Sequence, residues 1–351
     1  MRSPTVRAAL ALILFTFWLA LLFAGFAFGG GVHLLLAAAL ALFPWKALTT
    51  VLCLVALLLA GSAEAAPPRT EGRAHDRSFW RGIVEKGNAV PAGESAAALV
   101  RELSGYVGSP DPELRDTFSY GLTAEWIGKG RLAPADLRGL VRTWTANLRS
   151  GLGESGTDSV FRRSFSALNL ATIAAYENEK PFLQPAEVRS LLDAALAYLA
   201  AEKDLRGYDP KKGWIHATAH TADLLAALAA NRHLRKADHA RLLDAFGARL
   251  DSAGMVFAWG EDEPVAEAMR ALIQRKDFQA RTLDPWLARL EAEKERLWQG
   301  EGGRVDPRLF AAVQNRKSVL KSLAVALANR GMLSPEATKA RAKVLAALRE
   351  P

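Results

Sequence analysis

Seven prolines, Pro112, Pro134, Pro185, Pro264, Pro285, Pro307 and Pro335, each stand at the head of an apolar pattern of helical period. Proline fits the first turn of a helix because its missing N–H would lack an intrahelical partner there anyway. Asp111, Asp284, Asp306 and Ser334 precede four of these prolines. Their side-chain oxygens can accept from the free N–H groups that open a helix. Behind the starts, Val188, Leu191, Leu192, Ala195, Leu196 and Leu199 fall on one helical stripe. Leu137, Leu140, Val141, Trp144 and Leu148 repeat the pattern, as do Leu309, Phe310, Val313, Leu320, Leu323 and Leu327. Each stripe is the core face of an amphipathic helix. No alternating strand pattern compares with them, so the chain is predicted to be all-α, with strand content near zero.

Helices are expected near 79–87, 94–107, 112–128, 134–150, 158–178, 185–204, 213–230, 236–252, 263–275, 284–299, 307–330 and 335–349. Short connections make neighbours antiparallel hairpins. One pair takes about 45 to 50 residues, the scale of HEAT-like repeats. The expected architecture is therefore an α/α solenoid, with a closed α/α toroid as second choice and an irregular helical bundle as third. The domain should occupy 78–351, behind a hydrophobic leader over 1–65 and a proline-containing linker over 66–77.

The leader holds two apolar stretches. Ala8 to Phe28 follows Arg2 and Arg7 and is long enough for a bilayer core about 30 Å thick. A shorter stretch runs after Gly29-Gly30-Gly31 to Pro44, and Lys46 precedes Ala47 to Ala60. Ala63-Glu64-Ala65 then has the small-x-small form of a signal-peptide cleavage site, leaving Ala66 as the mature N-terminus. This reading expects export to the periplasm or cell envelope, with translation starting near Leu40 or Leu42. The alternative keeps both stretches in the membrane and tethers a cytoplasmic domain. Cys53, the only cysteine, lies in the leader, so the domain has no disulfide or thiolate site. Of the formal charge of +8, Arg2, Arg7, Lys46 and Glu64 leave +6 on the rest. Those charges are interspersed along helices rather than gathered in a stripe, so nucleic acid is not an expected partner.

One segment carries candidate chemistry. A helix from about Trp214 through Ala229 would set His216, His220 and Asp223 within roughly 60° of one another, with apolar residues on both flanks. Two imidazoles and a carboxylate in such surroundings need partners: protein, water, metal or ligand. His at i and i+4 is the spacing by which one helix offers two nitrogens to a divalent metal. Ala217 stands where a zinc protease places its glutamate, and a third ligand cannot be identified. Asp223 is better placed to orient His220 than to share the ion. A hydrogen-bonded structural cluster remains the bland alternative.

The Gly-Trp-x-His-Ala-x-Ala-His-x-Ala-Asp-Leu-Leu string from Gly213 to Leu225 resembles a bacterial family catalogued only as a domain of unknown function. Leu114-Arg115-Asp116 with Trp126-Ile127, and Val160 to Ser166, are similar to it as well, over roughly 80 to 330. The resemblance implies an all-helical domain and no particular reaction. The N-terminal extension departs from the family's pattern.

Further candidates are weaker. Arg162, Arg163, Ser164, Ser166 and Asn169 form a polar cluster on an otherwise apolar helix. An arginine there could take a carboxylate or phosphate of a ligand, or pair with an acid such as Asp116. Asp116 and Tyr120 share a helix face, and Glu125 is turned away. The domain's seven tryptophans are expected in packing, except that Trp214 should line a pocket. His233 and His239 should be exposed. Gly151 to Gly156 reads as a loop, and no P-loop, dinucleotide fingerprint or nucleophile elbow is present. The expected function is binding of a protein or small polar ligand in a groove beside the His216 helix, the alternative an enzyme, metal-dependent or not, using His216 and His220.

Overall fold

The computed structural model describes residues 3–23, 33–43, 75–299, 304–328 and 333–349. The chain divides into two units, Met1–Arg73 and Ala74–Pro351. The first contains α1 (Pro4–Phe23) and α2 (His33–Leu42), which pack on each other; Trp18 Nε1 donates to His33 Nδ1 at 3.4 Å. Among the described residues no helix is long and apolar enough to cross a membrane, the side chains of α1 being described from Val6 to Leu21 only. The cleavage motif Ala63-Glu64-Ala65, Cys53, Lys46 and most of the linker lie outside the described residues.

The second unit is helical: α3 (Arg77–Glu85), α4 (Ala96–Leu103), a π-helix (Glu113–Leu122) running into α5 (Thr123–Gly128), α6 (Pro134–Asn147), α7 (Ser159–Glu179), α8 (Pro185–Ala201), α9 (Ala217–Ala230), α10 (Asp238–Ser252), α11 (Asp262–Ile273), a 3₁₀ turn (Ala280–Leu283), α12 (Asp284–Leu297), α13 (Pro307–Ala328) and α14 (Pro335–Arg349). Pro134, Pro185, Pro307 and Pro335 each open a helix, as the missing donor allows. Gln184 and Glu187 close a reciprocal capping box on α8, and Ser334 Oγ accepts from Ala337 N at the start of α14. Most positions of the stripes read from the sequence are buried: Val188, Leu191, Leu192, Ala195 and Leu199 on α8, Leu137, Leu140 and Trp144 on α6, and Val313, Leu320, Leu323 and Leu327 on α13, whereas Phe310 at the start of α13 is exposed.

One expectation fails in an instructive place. The helix does not begin at Trp214. Tyr208–Asp209 (β1) and Gly213–Trp214 (β2) pair as a short antiparallel hairpin, Tyr208 opposite Trp214 and Asp209 opposite Gly213. The helix starts three residues later, at Ala217. The hairpin's loop begins at Asp209-Pro210, and Asp209 accepts from the N–H groups of Lys211 and Lys212, a local turn that competes with helix.

Helix α9 lies between α7 and α11. Ser164 meets His220 near the first turns of α7 and α9, and Asn178 meets Ala227 and Asn231 near their ends, so these two helices run parallel. His216 meets Glu261 at the start of α11, and Arg275, just past its end, donates to the carbonyls of Ala229 and Asn231, so α9 and α11 run parallel too. The return helices α8 and α10 pack together on the other side, Arg241 on Asp193 and Arg249 on the carbonyls of Leu199 and Glu202. Three helix starts thus share one edge of the layer. Beneath that edge Val107, Val160, Phe161, Phe165, Ile215 and Ala217 form a small apolar cluster of their own.

Candidate functional site

His216 is the hinge between hairpin and helix. Its backbone is left-handed, at φ 48° and ψ 36°, a conformation that costs a residue with a Cβ about 1–2 kcal/mol. The neighbours over-determine it: His216 N lies 3.2 Å from both the Arg206 and Gly207 carbonyls, and His216 O accepts from His220 N at 2.9 Å. The turn takes the imidazole off the helical stripe on which the sequence placed it. The ring stacks on Trp214 at 4.8 Å and 29° and stands nearly perpendicular to His220 at 5.8 Å. Its Nε2 is buried without a hydrogen-bond partner among the described residues, 3.9 Å from Glu261 Oε1. Burial lowers the His216 pKa, against the pull of Glu261 and of the Trp259 backbone.

His220 lies deeper. Its Nδ1 is 2.8 Å from Ser164 Oγ, and the same hydroxyl donates to the Ile215 carbonyl. A carbonyl only accepts, so the serine proton goes to Ile215 and His220 Nδ1 must carry the hydrogen that completes the second bond. That fixes the tautomer and leaves Nε2 as the basic nitrogen. Burial, then proximity to the His216 imidazole and the Arg115 guanidinium, pushes the His220 pKa down to about 3. Phe165 packs edge-on against the ring at 4.9 Å.

The rim of the site is aromatic. Tyr208, Trp214 and Trp259 remain 37%, 43% and 47% exposed. Tyr208 lies 5.0 Å from Trp214 and 5.5 Å from Trp259, and the two tryptophans are 6.4 Å apart at 83°. Trp259 sits on Gly207, where a Cβ would come within 2.4 Å of the indole. Glu261, almost fully buried, accepts from Trp259 N through Oε2 at 2.9 Å. The hairpin itself is clamped. Arg115, fully buried, donates to the Lys212 and Ser109 carbonyls and lies over Phe161 and Phe165 at 4.1 and 4.6 Å. Lys212 pairs with Asp158, and Arg206 with Asp204.

The other sequence candidates fall elsewhere. Asp223 does not orient His220; Ser164 holds that ring. Asp223 lines a cavity of about 560 Å³ with Glu263, Glu267, Lys321 and Ser322, and burial followed by Glu267 raises its pKa to about 6. Arg163 does not pair with Asp116. It makes a buried bidentate bridge to Glu202 at 2.6 and 3.0 Å and donates to the carbonyls of Ser150 and Gly151, while Asp116 pairs with Arg115 at 2.7 Å. Arg162 packs over Gly108. Trp214 forms the rim rather than the wall of a pocket. His239 is buried, not exposed, 3.7 Å from Asp277. Among the described residues no group of three or more His, Cys, Asp or Glu is placed to hold a metal ion: His220 Nδ1 is occupied by Ser164, and Ser164 is no common metal ligand.

A family model matches residues 148–325, about half of the chain. The chain belongs to the family described as Protein of unknown function (DUF2785). The DUF2785 span takes in α7 through nearly all of α13, and with it Ser164, Tyr208, Trp214, His216, His220, Trp259 and Glu261. It excludes Asp116 and the Trp126-Ile127 stretch. No curated protein and no solved structure matches the chain.

Sequence reading missed Glu261, Trp259 and Tyr208. A signal was present: Gly254 and Gly260, both at positive φ, bracket Met255 to Trp259, so apolar side chains stand in a loop that cannot continue a helix.

Proposed function

We propose that this chain is a ligand-binding protein whose site is the shared edge of α7, α9 and α11. The observation that carries the proposal is the pair His216 Nε2 and Glu261 Oε1. They lie 3.9 Å apart, too far to bond each other, and the imidazole nitrogen is buried without a partner. Buried polar atoms in folded proteins are paired with few exceptions, and an exception beside an exposed aromatic rim suits a ligand. The test is a fragment screen of small polar molecules on the full-length protein, read by amide hydrogen exchange. Protection of 206–216 and 255–261 is expected; hits confined to the Asp223 cavity overturn the reading.

A second reading makes the protein an enzyme. His216, buried next to a carboxylate with Nε2 unpaired among the described residues, has the makings of a general base, and His220 lies behind it. A turnover assay on any hit separates the two, because a base variant such as His216→Asn abolishes turnover by more than the change in affinity accounts for.

For the architecture we favour the HEAT-like solenoid over the toroid, because α7, α9 and α11 run parallel in one row with α8 and α10 returning in another, and among the described residues α3 and α4 make no extensive contact with α13 and α14, as closing a ring would require. An elongated small-angle scattering profile supports it and a compact one removes it. The leader supports placement in the cell envelope. A mature N-terminus near Ala66, by N-terminal sequencing, is the expected result; an intact leader favours a tethered domain in the cytoplasm.

A further inference from the structure

We propose that Tyr208, Trp214 and Trp259 form a stacking platform for a glycan built of pyranose rings, with a vicinal diol of one sugar bridging His216 and Glu261. The proposal rests on the site reading above and names its ligand class.

The first argument is the pairing of chemistries. A pyranose whose ring hydroxyls are equatorial has an apolar C–H face and a polar edge. The platform offers partly exposed ring faces directly beside a buried nitrogen and a buried carboxylate. A vicinal diol answers those two atoms in either imidazole tautomer. If His216 Nε2 carries the hydrogen, one hydroxyl accepts from it and donates to Glu261 Oε1; if it does not, one hydroxyl donates to each. Hydrogen bonds of about 2.8 Å span the 3.9 Å gap.

The second argument is rigidity. Trp214 and Tyr208 are fixed opposite each other by the hairpin register. Trp259 is seated on Gly207 and tied by Glu261 to its own backbone. Rings already held in place lose little entropy on binding. Trp298 is more exposed, at 74%, and has no ring neighbour among the described residues, so it serves as an internal control.

Charge argues against an anionic membrane surface as the occupant. Of the basic residues that flank the rings, Arg206 and Lys212 are paired with Asp204 and Asp158, which leaves the exposed Lys211 to supply most of the attraction that draws basic aromatic surfaces to anionic lipid.

The experiment titrates the full-length protein with cellohexaose and with chitohexaose, by calorimetry and tryptophan fluorescence. Saturable binding of at least one is expected, weakened about tenfold or more in Trp214→Ala and Trp259→Ala and unchanged in Trp298→Ala. His216→Asn, which keeps a residue tolerant of the left-handed backbone, should also weaken it while leaving the melting curve in place. Absence of saturable binding to both sugars at millimolar concentration overturns the proposal, as does binding indifferent to the rim variants. Rim-dependent binding to phosphatidylglycerol vesicles in place of sugar assigns the platform to a membrane and overturns it as well. Fragment hits that protect 206–216 while neither sugar binds remove the glycan and leave the site.

Discussion

Two clusters of buried polar side chains touch α7 at neighbouring residues, one through Arg163 and the other through Ser164, which holds His220 behind His216, and they have opposite character. At Arg163 every part of the guanidinium is answered: Glu202 takes Nε and one terminal nitrogen, and the other terminal nitrogen donates to the Ser150 and Gly151 carbonyls and to Ser159 Oγ. At His216 the donors and acceptors are almost matched and one nitrogen is left over. The first cluster is sealed, with Arg163 at 0% and Glu202 at 3% exposure. The second opens onto exposed aromatic rings. Complete pairing inside the core marks a structural hub; incomplete pairing next to solvent marks a place for something else to bind.

Stability measurements test that contrast most directly. Glu202→Gln strands a buried guanidinium and weakens a carboxylate that also accepts from the Lys203 and Asp204 N–H groups. Removing one partner of a buried ion pair costs about 3–5 kcal/mol, and a loss of that size is expected in urea unfolding. Glu261→Gln is expected to cost less than about 1 kcal/mol, since an amide oxygen still accepts from Trp259 N. Equal losses in the two variants would abolish the distinction between hub and site.

The next largest effect is on pH dependence. His220 has a folded pKa near 3, below its unfolded value of about 6.5. Between those values the unfolded chain binds the proton and the native one does not, so stability rises with pH, by about 1.4 kcal/mol per unit for one group. It is fully present above about pH 6.5 and falls as pH drops toward 3. His220→Gln removes this slope while keeping a side chain able to reach Ser164. Relative to wild type, the variant should lose stability as pH climbs from about 4 to about 6.5, because the rise from His220 is gone; a difference between the two proteins that does not change with pH would place His220 in contact with solvent.

Gly207→Ala acts on the rim alone. The added methyl would come within 2.4–2.5 Å of Trp259 Cδ1, Cγ and Cβ; turning the indole does not move Cβ, so the loop that carries Trp259 must shift. The expected cost is about 1–3 kcal/mol, with a shift in tryptophan emission and loss of ligand affinity. Unperturbed emission would show that Trp259 does not rest on the hairpin.

Much of the helical framework is legible in the sequence because it is set by local rules. Prolines at Pro134, Pro185, Pro307 and Pro335 fix helix starts by their own chemistry, and the stripes behind them have a period that only a helix buries on one side. The string around His216 was legible as unusual, but not its shape. Helical periodicity continues back from Ala217 through residues that Gly213 and Asp209-Pro210 turn into a hairpin. The resulting left-handed residue rotates His216 away from Asp223 and toward Glu261, a partner 45 residues on. Contacts of that separation leave no periodic trace. The π-turns of Glu113–Leu122 are likewise indistinguishable from ordinary helix in the sequence, since a change of pitch over a few residues barely alters an apolar pattern.

Asp223 supplies the most specific test, because its sign is opposite to that of His220. Its folded pKa is raised to about 6, above an unfolded value of about 3.9. Between those values the native state holds the proton and the unfolded chain does not, so this group's contribution to stability falls as pH rises. Over the same interval His220 contributes a rise, and in the wild type the two largely cancel. Asp223→Asn takes away the falling part and leaves the rise from His220 exposed, so the variant should gain stability relative to wild type as pH climbs from about 4 to about 6. Because Asn matches the protonated carboxyl in size, the difference between the two proteins should be smallest near pH 4. A difference that does not change with pH would mean that Asp223 titrates alike in the folded and unfolded chain, and that the cavity it lines with Glu267 is filled with water rather than dry.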